Sequence, residues 1–492
     1  MRRQLAGSTV ASAALAGLVL AGALAPSATA APPEMPGKDL SKHVTGERVF
    51  KHLEAFQAIA DAHGGNRAMG TSGYEASAEY VESVLRKSGY TPERQYFTFE
   101  QDVVDALALT AAGIEVPGPL YPAEFSPQTP QGGVTGPIVQ PSDAMKHGCT
   151  AADWAGVDAT GGVALVSRGS CAFSVKVLTA SAAGAEAVII YNNVSGPLNP
   201  TLGAEDPAYV PAVGISLEAG QAILAALADG GDPVATYDYQ SHVEEFESFN
   251  VLASTRTGDP DNVVMLGAHL DSVEDGPGIN DNGTGSAAIL ETAVQLARSG
   301  PLNNQVRFAW WGAEELGLIG STHYVNDLVA NDPEELDRIA TYLNFDMVGS
   351  PNYTIGVYDA NESTYDAPVP VPAGSVETEA VFTDYFDSIG QPWVDSEFSG
   401  RSDYQAFINN GIPASGLFTG ADGIKTEEEA AIFGGTAGIR LDPNYHTPAD
   451  DITNVDKTAL DIMSRAIGHA AQKLAWSTEA INGVVPGGPG NS

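Results

Sequence analysis

Apolar residues recur at helical spacing soon after residue 45, where Val49, Phe50, Leu53, Phe56 and Ile59 share one face and Gly64-Gly65 ends the pattern. Tyr80, Val81, Val84 and Leu85 predict a second helix that stops at Gly89, and Tyr96, Phe97 and Phe99 supply aromatic strand formers over 95–100. From 101 to 245 the texture changes to Gly- and Pro-rich chain with short apolar runs, among them Gly162-Val-Ala-Leu-Val166, Ala187-Val-Ile-Ile-Tyr191 and Val210-Pro-Ala-Val-Gly-Ile215. This stretch reads as a separate strand-rich module. Beyond Phe249, apolar strands over 262–270, 305–311 and 339–346 alternate with helical patterns over 286–298 and 458–476. Such alternation predicts an α/β fold, a mixed and mostly parallel sheet flanked by helices. The expected organisation is one domain split over 31–100 and 246–480, a β-rich insert at 101–245 and a flexible Gly/Pro tail over 481–492.

The first thirty residues depart from this pattern. Arg2-Arg3, an apolar run from Ala11 to Ala25 and the small-residue site Ala28-Thr29-Ala30 predict a cleaved export signal over 1–30, hence a secreted, extracellular protein. No later run reaches the ~20 apolar residues of a membrane span, so no membrane partner is expected. In an oxidising exterior the only two cysteines, Cys149 and Cys171, are expected to pair, a closure worth roughly 3 kcal/mol. Two cysteines also exclude a four-thiolate zinc site. The chain carries 23 Lys+Arg against 62 Asp+Glu, a net charge of −39, which speaks against nucleic acid and anionic membranes as partners. A monomer is expected.

Candidate chemistry gathers where the strands end: His269-Leu-Asp271, Glu314-Glu315 and Asp346, with Asp281 and His446 in loops. Open α/β sheets build their sites at that carboxyl edge. His269 and Asp271 are two apart, so an extended backbone points both the same way and lets the carboxylate orient the imidazole. His269, His446, Asp281, Glu315 and Asp346 together offer two neutral nitrogens and three carboxylates, a set that suits two zinc ions: charges of +4 and −3, with a hydroxide, sum to zero. Of the adjacent Glu314 and Glu315, one can bind metal while the other serves as general base, and the residues alone do not say which. The wholly apolar Phe308-Ala-Trp-Trp311 before them makes a buried acid pair costly without cations.

These residues stand in a recognisable order. Gly267-Ala-His-Leu-Asp271, Gly278-Ile-Asn-Asp-Asn-Gly283, Trp310-Trp-Gly-Ala-Glu-Glu-Leu-Gly-Leu-Ile-Gly-Ser321, Leu343-Asn-Phe-Asp-Met-Val-Gly-Ser350 and Tyr445-His-Thr447 resemble the bacterial secreted di-zinc aminopeptidases that prefer leucine, over 44–100 and 246–478. The resemblance implies His269 and Asp346 on one zinc, Glu315 and His446 on the other, Asp281 bridging, Glu314 as general base and Asp271 as the carboxylate that orients the histidine. It also implies Tyr445 as the phenol that supports the oxyanion, Arg401 in the amino-terminus pocket, and Phe418 as an apolar wall of the side-chain pocket. The substrates implied are peptides or proteins with free amino termini, cleaved after large apolar residues such as Leu. The insert resembles a protease-associated domain through Val166-Ser-Arg-Gly-Ser-Cys-Ala-Phe173 and Lys176.

Two departures accompany the match. Some members carry cysteines flanking the Tyr-His loop, which this chain lacks, so packing is expected to hold the loop. Some bind Ca²⁺ near the last helix; Asp461 is present, but Arg465 stands where a second acid belongs, which speaks against calcium. A carboxypeptidase-type relative would need a basic pocket, and no Arg or Lys cluster other than Arg401 lies near the motifs. A metal-free binding protein would not need all five ligand positions and Glu314, and no Gly-x-Ser-x-Gly suggests a serine hydrolase.

Overall fold

The computed structural model describes residues 38–485. The expected signal at 1–30 and the tail residues 486–492 lie outside the described residues. The central strands are buried on both faces, which is why they read as continuous apolar runs. Val264, Leu266 and Ala268 pack with Phe308 and Trp310 on one side, while Met265, Ala309 and Trp311 enter a second cluster on the other. The first side is covered by helices Gly46–Ala62, Ser72–Ser88, Gly285–Leu296 and Lys457–Trp476. Helices Ile319–Asn331 and Tyr404–Asn409 cover the second through Tyr324, Val325 and Phe407.

Strand order, from one edge, is Val394–Ser396, Gly356–Tyr358, Ala414–Phe418, Ile339–Phe345, Asp259–His269, Asn304–Trp311, Val234–Ser254. The strands ending at His269, Trp311, Phe345 and Phe418 run parallel, so their carboxyl ends meet at one edge. Val234–Ser254 joins antiparallel and pairs with Glu93–Ala111 in a long ribbon, from Glu93 opposite Leu252 to Ala111 opposite Ala235, with an irregularity between Val104 and Ala106. The expected junctions at 100/101 and 245/246 therefore fall inside two unbroken strands. Within the insert, strands Val163–Ser167, Ala187–Tyr191 and Ala212–Ile215 are parallel and buried, with helices Phe173–Ala182 and Leu217–Ala228 between and after them. Cys149 and Cys171 form a disulfide there, and the buried Lys176 ammonium donates to the carbonyls of His147 and Gly169, both at 2.8 Å.

The second helix begins eight residues before the apolar pattern announces it, because the Thr71 hydroxyl caps it by accepting the amides of Gly73 and Tyr74. At the other end of the chain, Glu479–Asn482 is helical and the Asn482 side chain donates to Asn262 Oδ1 at 2.8 Å, which anchors the start of the expected tail. Asp461 accepts the Gly46 amide at 2.8 Å and pairs with Arg465 at 2.7 Å. Among the described residues no helix is long and apolar enough to cross a membrane.

His469, on the last long helix, stacks on Tyr385 with ring centroids 4.4 Å apart, and burial, aided by Lys473, lowers its pKa to about 4. The unfolded chain therefore binds the extra proton between about pH 6.5 and 4, so this site's contribution to stability is complete above 6.5 and lost as pH falls. The difference in unfolding free energy between the wild type and His469→Phe, from urea titrations at pH 7.5 and 4.5, should shift against the wild type on acidification by on the order of 2 kcal/mol. A difference independent of pH would contradict this.

Candidate metal centre and active site

Each candidate ligand is placed by the edge where the parallel strands stop. His269 is the last residue of its strand and lies opposite Trp311, after which Gly312 and Ala313 turn the chain and present Glu314 and Glu315. Only glycine fits at 312, since a Cβ there would sit 2.3 Å from the Tyr74 hydroxyl and 2.6 Å from the Phe249 carbonyl. Asp346 follows directly on Phe345. The loop 278–283, entered through the left-handed Gly278, brings in Asp281, and the turn after Asp442 brings in His446.

Asp281 lies between the two imidazoles. Its Oδ1 is 3.2 Å from His269 Nε2 and its Oδ2 is 3.1 Å from His446 Nε2. His269 Nε2 also faces Asp346 Oδ1 at 3.4 Å and Glu314 Oε2 at 3.7 Å, while His446 Nε2 faces Glu315 Oε2 at 3.0 Å. Two groups of donor atoms, each within 4.8 Å, result: His269 with Asp281 and Glu315, and His269 with Glu314 and Asp346. By distance alone Glu314 is therefore a donor as well.

The arrangement fits zinc. His269 Nε2, Glu315 Oε1 and Asp346 Oδ1 are buried polar atoms with no hydrogen-bond partner, and imidazole nitrogens with carboxylates are a zinc donor set. Titration behaviour points the same way. Burial, with Asp346, Asp403 and Glu315 adding to it against His269, pushes the Glu314 carboxyl well above the usual carboxylate range. Burial and then Asp281 push Glu315 up to about 7. Burial opposes the charged form of His446, but Asp281 and Glu315 outweigh it and raise the imidazole to about 10. Acids that compete for protons in a dry pocket are satisfied by divalent cations.

The remaining candidates surround this core. Asp271 is fully buried, and its carboxylate Oδ1 lies 3.7 Å from His269 Nδ1, whereas its main-chain carbonyl is nearer, at 3.1 Å. The carboxylate also accepts the amides of Glu314 and Glu315, both at 3.3 Å. Tyr445 stacks on His446 with centroids 3.7 Å apart, and burial together with Asp281 and Glu315 raises its phenol, which keeps it a proton donor. Arg401 pairs with Asp422 at 3.1 Å and donates to the Tyr445 hydroxyl at 3.4 Å. A cavity of about 230 Å³ opens over Asp281, Glu314 and Asp346, with Met347, Phe418 and Leu441 as apolar lining and Arg401 and Tyr445 also on it.

Two further residues hold the ligands in place, and a third acid is buried nearby. Asn282 accepts the amides of Gly285 and Met347 and donates to the Phe345 carbonyl, which ties the Asp281 loop to both neighbours of Asp346. Ser402 donates to Asp346 Oδ2 at 2.5 Å and is itself held by Asn344 at 2.8 Å. Asp403, 1% exposed and with both carboxylate oxygens unpartnered, is pushed up to about 7, chiefly by burial. The Asn-Asp-Asn-Gly motif gave a local signal only of a turn, and Ser402 carried none beyond its place beside Arg401.

Comparison with known proteins places this architecture. The family model described as Peptidase family M28 matches residues 250–471, and the PA domain model matches 134–223. The chain is 44% identical to "Probable leucine aminopeptidase 2" of Aspergillus fumigatus, over 85% of this chain and 80% of that protein. It is 43% identical to an "Aminopeptidase" of Pseudomonas aeruginosa, over 90% and 83%. Among solved structures, the aminopeptidase of Aneurinibacillus sp. strain AM-1 superposes with a TM-score of 0.65 at 28% identity, covering 88% of this chain and 94% of that one. BSAP, a zinc aminopeptidase from Bacillus subtilis, gives 0.66 at 27%, covering 89% and 98%. Relatives this similar, over most of both chains, together with a strand-edge His and carboxylate cluster inside the matched region, show that the chain belongs to Peptidase family M28 and carries an inserted PA domain.

Proposed function

We propose that this chain is an exported, monomeric aminopeptidase that uses two zinc ions to release large apolar residues such as leucine from the free amino termini of peptides. The observation that carries the reading is Asp281, whose two oxygens face His269 and His446 separately, each imidazole also meeting a further carboxylate. His269 and Asp346 would hold one ion, Glu315 and His446 the other, with Asp281 shared. The printed names of the relatives, leucine aminopeptidase and zinc aminopeptidase, agree with it. The split at 31–100 and 246–480 around the insert at 101–245 belongs to the same proposal, as does export, supported by the signal pattern at 1–30 and the Cys149–Cys171 disulfide.

When bound, the zinc ions polarise the scissile carbonyl and lower the pKa of water from ~16 towards ~7. Glu314, on the cavity floor, takes the proton of the attacking water at a carboxylate oxygen and returns it to the leaving amine. The Tyr445 hydroxyl, oriented by Arg401, donates to the carbonyl oxygen as it gains charge. Asp271 fixes the two glutamates through their amides and His269 through its carbonyl. The acidic floor of Glu314 and Asp346 favours a free α-amino group, and Met347, Phe418 and Leu441 receive its apolar side chain. Arg401 is the one basic residue among those lining the cavity and is paired with Asp422, so a substrate carboxylate finds no free cation there.

Glu314→Ala should retain both zinc ions by metal analysis while kcat on leucine anilide falls about 10²–10⁴-fold. Lost metal with retained rate would refute the role. Leucine anilide with a free amine should be cleaved, its N-acetyl derivative should not, and a chelator should abolish turnover until zinc is restored. Cleavage of the blocked substrate, or turnover that survives chelation, would contradict the proposal.

A further inference from the structure

The loop that carries Asp281 is gripped by two buried ionisable side chains that are not among the residues lining the cavity. Arg67, fully buried between the first two helices, donates Nε to the Pro277 carbonyl at 2.9 Å, Nη2 to the Gly278 carbonyl at 2.6 Å, and Nη1 to the carbonyl of Leu270, which follows His269. Asp450, 2% exposed, accepts the Asn280 amide on Oδ1 and the Asp281 amide on Oδ2, both at 3.0 Å, and its main-chain carbonyl accepts the Ile279 amide at 3.0 Å. An ionisable group so buried is costly unless its hydrogen-bonding capacity is used, and here most of it is used on the main chain of residues 277–281, with Leu270 and Asn454 as the further partners.

The acidic grip also reaches the other imidazole. Asp442 and Asp450 stand on either side of His446 in sequence, and Asn454 donates to both carboxylates at 2.9–3.1 Å. Asn280 donates to Asp442 at 2.6 Å, and Asn444, two residues before His446, donates to Asn454 at 2.8 Å. The Asp281 loop and the His446 turn are thereby bound into one unit without a disulfide. Displacing Asp450 would move Asp281 and His446 relative to each other, while His269, at the end of a sheet strand, would stay in place.

We infer that Asp450, countered by Arg67, is a positioning residue that fixes the separation of Asp281 and His446 and so sets the affinity of the ion held by Asp281, Glu315 and His446. This rests on the two-ion reading. The residues supporting a metal ligand tune affinity by roughly 10–100-fold in general. The other ion shares Asp281, but its remaining ligands His269 and Asp346 leave sheet strands, and Asn282 and Ser402 restrain Asp346 and its neighbours, so it depends less on Asp450.

The test uses the full chain, stripped of metal and titrated with zinc against a competing chromophoric chelator, with stoichiometry by metal mass spectrometry and folding by thermal melt. Asp450→Asn should weaken one of two zinc steps about 10–100-fold, weaken the other, which shares Asp281, by clearly less, and recover kcat in excess zinc. Arg67→Lys, which keeps the charge but loses the fork, should weaken the same step. Glu379→Gln is the control, because Glu379 is a 3% exposed carboxylate that likewise accepts two successive amides, those of Ala360 and Asn361, and its hydrogen bonds reach neither a ligand nor the loops that carry Asp281 and His446. It should lower the melting temperature without changing either zinc step. Unchanged zinc binding in Asp450→Asn, or an equal loss in Glu379→Gln, would overturn the inference. If Asp450→Asn does not fold, Asn454→Ala should show the same selective weakening, and wild-type affinity there would overturn it. A wild type that binds fewer than two ions would refute the two-ion reading instead.

Discussion

Everything at the open edge of the sheet depends on how an excess of buried carboxylates is neutralised. Asp281, Asp346 and Asp403 are 5%, 8% and 1% exposed, and Glu314 and Glu315 stand beside them. Two carboxylate charges whose oxygens lie within 4.8 Å of each other, as in each donor group, repel by at least about 3 kcal/mol in a protein-like dielectric. Several such pairs would exceed the net stability of an ordinary domain. The two imidazoles and Arg67 offset part of this, and divalent cations offset the rest. The same requirement explains why the donor atoms lack protein partners, since a ligand satisfied by hydrogen bonds would have no reason to bind metal.

The fold supplies a rigid frame for that charge. His269 and Asp346 leave adjacent parallel strands that are buried on both faces, and Glu314 and Glu315 follow a third after one tight turn. The two loop ligands need separate restraint: the Asp281 loop receives it from Asp450, Asn282 and Arg67, and the His446 turn from the hydrogen bonds among Asp442, Asn444 and Asn454. Only a small share of the net charge of −39 is engaged at the site; the surplus belongs to the surface.

Legibility in the sequence followed the range of the forces involved. Apolar strands that stop at polar residues are a local pattern, so the segments ending at His269, Trp311 and Asp346 could be read directly, whereas Asp281 and His446 needed the ordered set of motifs. Asp271 does more than periodicity implies: its carboxylate lies beside His269 Nδ1 and, because the strand ends at His269, it also reaches the Glu314 and Glu315 amides. Arg67 and Asp450 left no trace in local pattern, because their partners lie 211 and 169 positions away. The ribbon of Glu93–Ala111 was underestimated for a different reason, since its middle is exposed and carries few of the apolar residues that reveal a strand.

The shared position of Asp281 is tested most directly by diffraction at the zinc absorption edge from crystals of the zinc-loaded protein. Two anomalous peaks are expected, one contacted by His269 and Asp346, the other by Glu315 and His446, with a different oxygen of Asp281 on each. A single peak, or two peaks of which one does not touch Asp281, would contradict the two-ion centre.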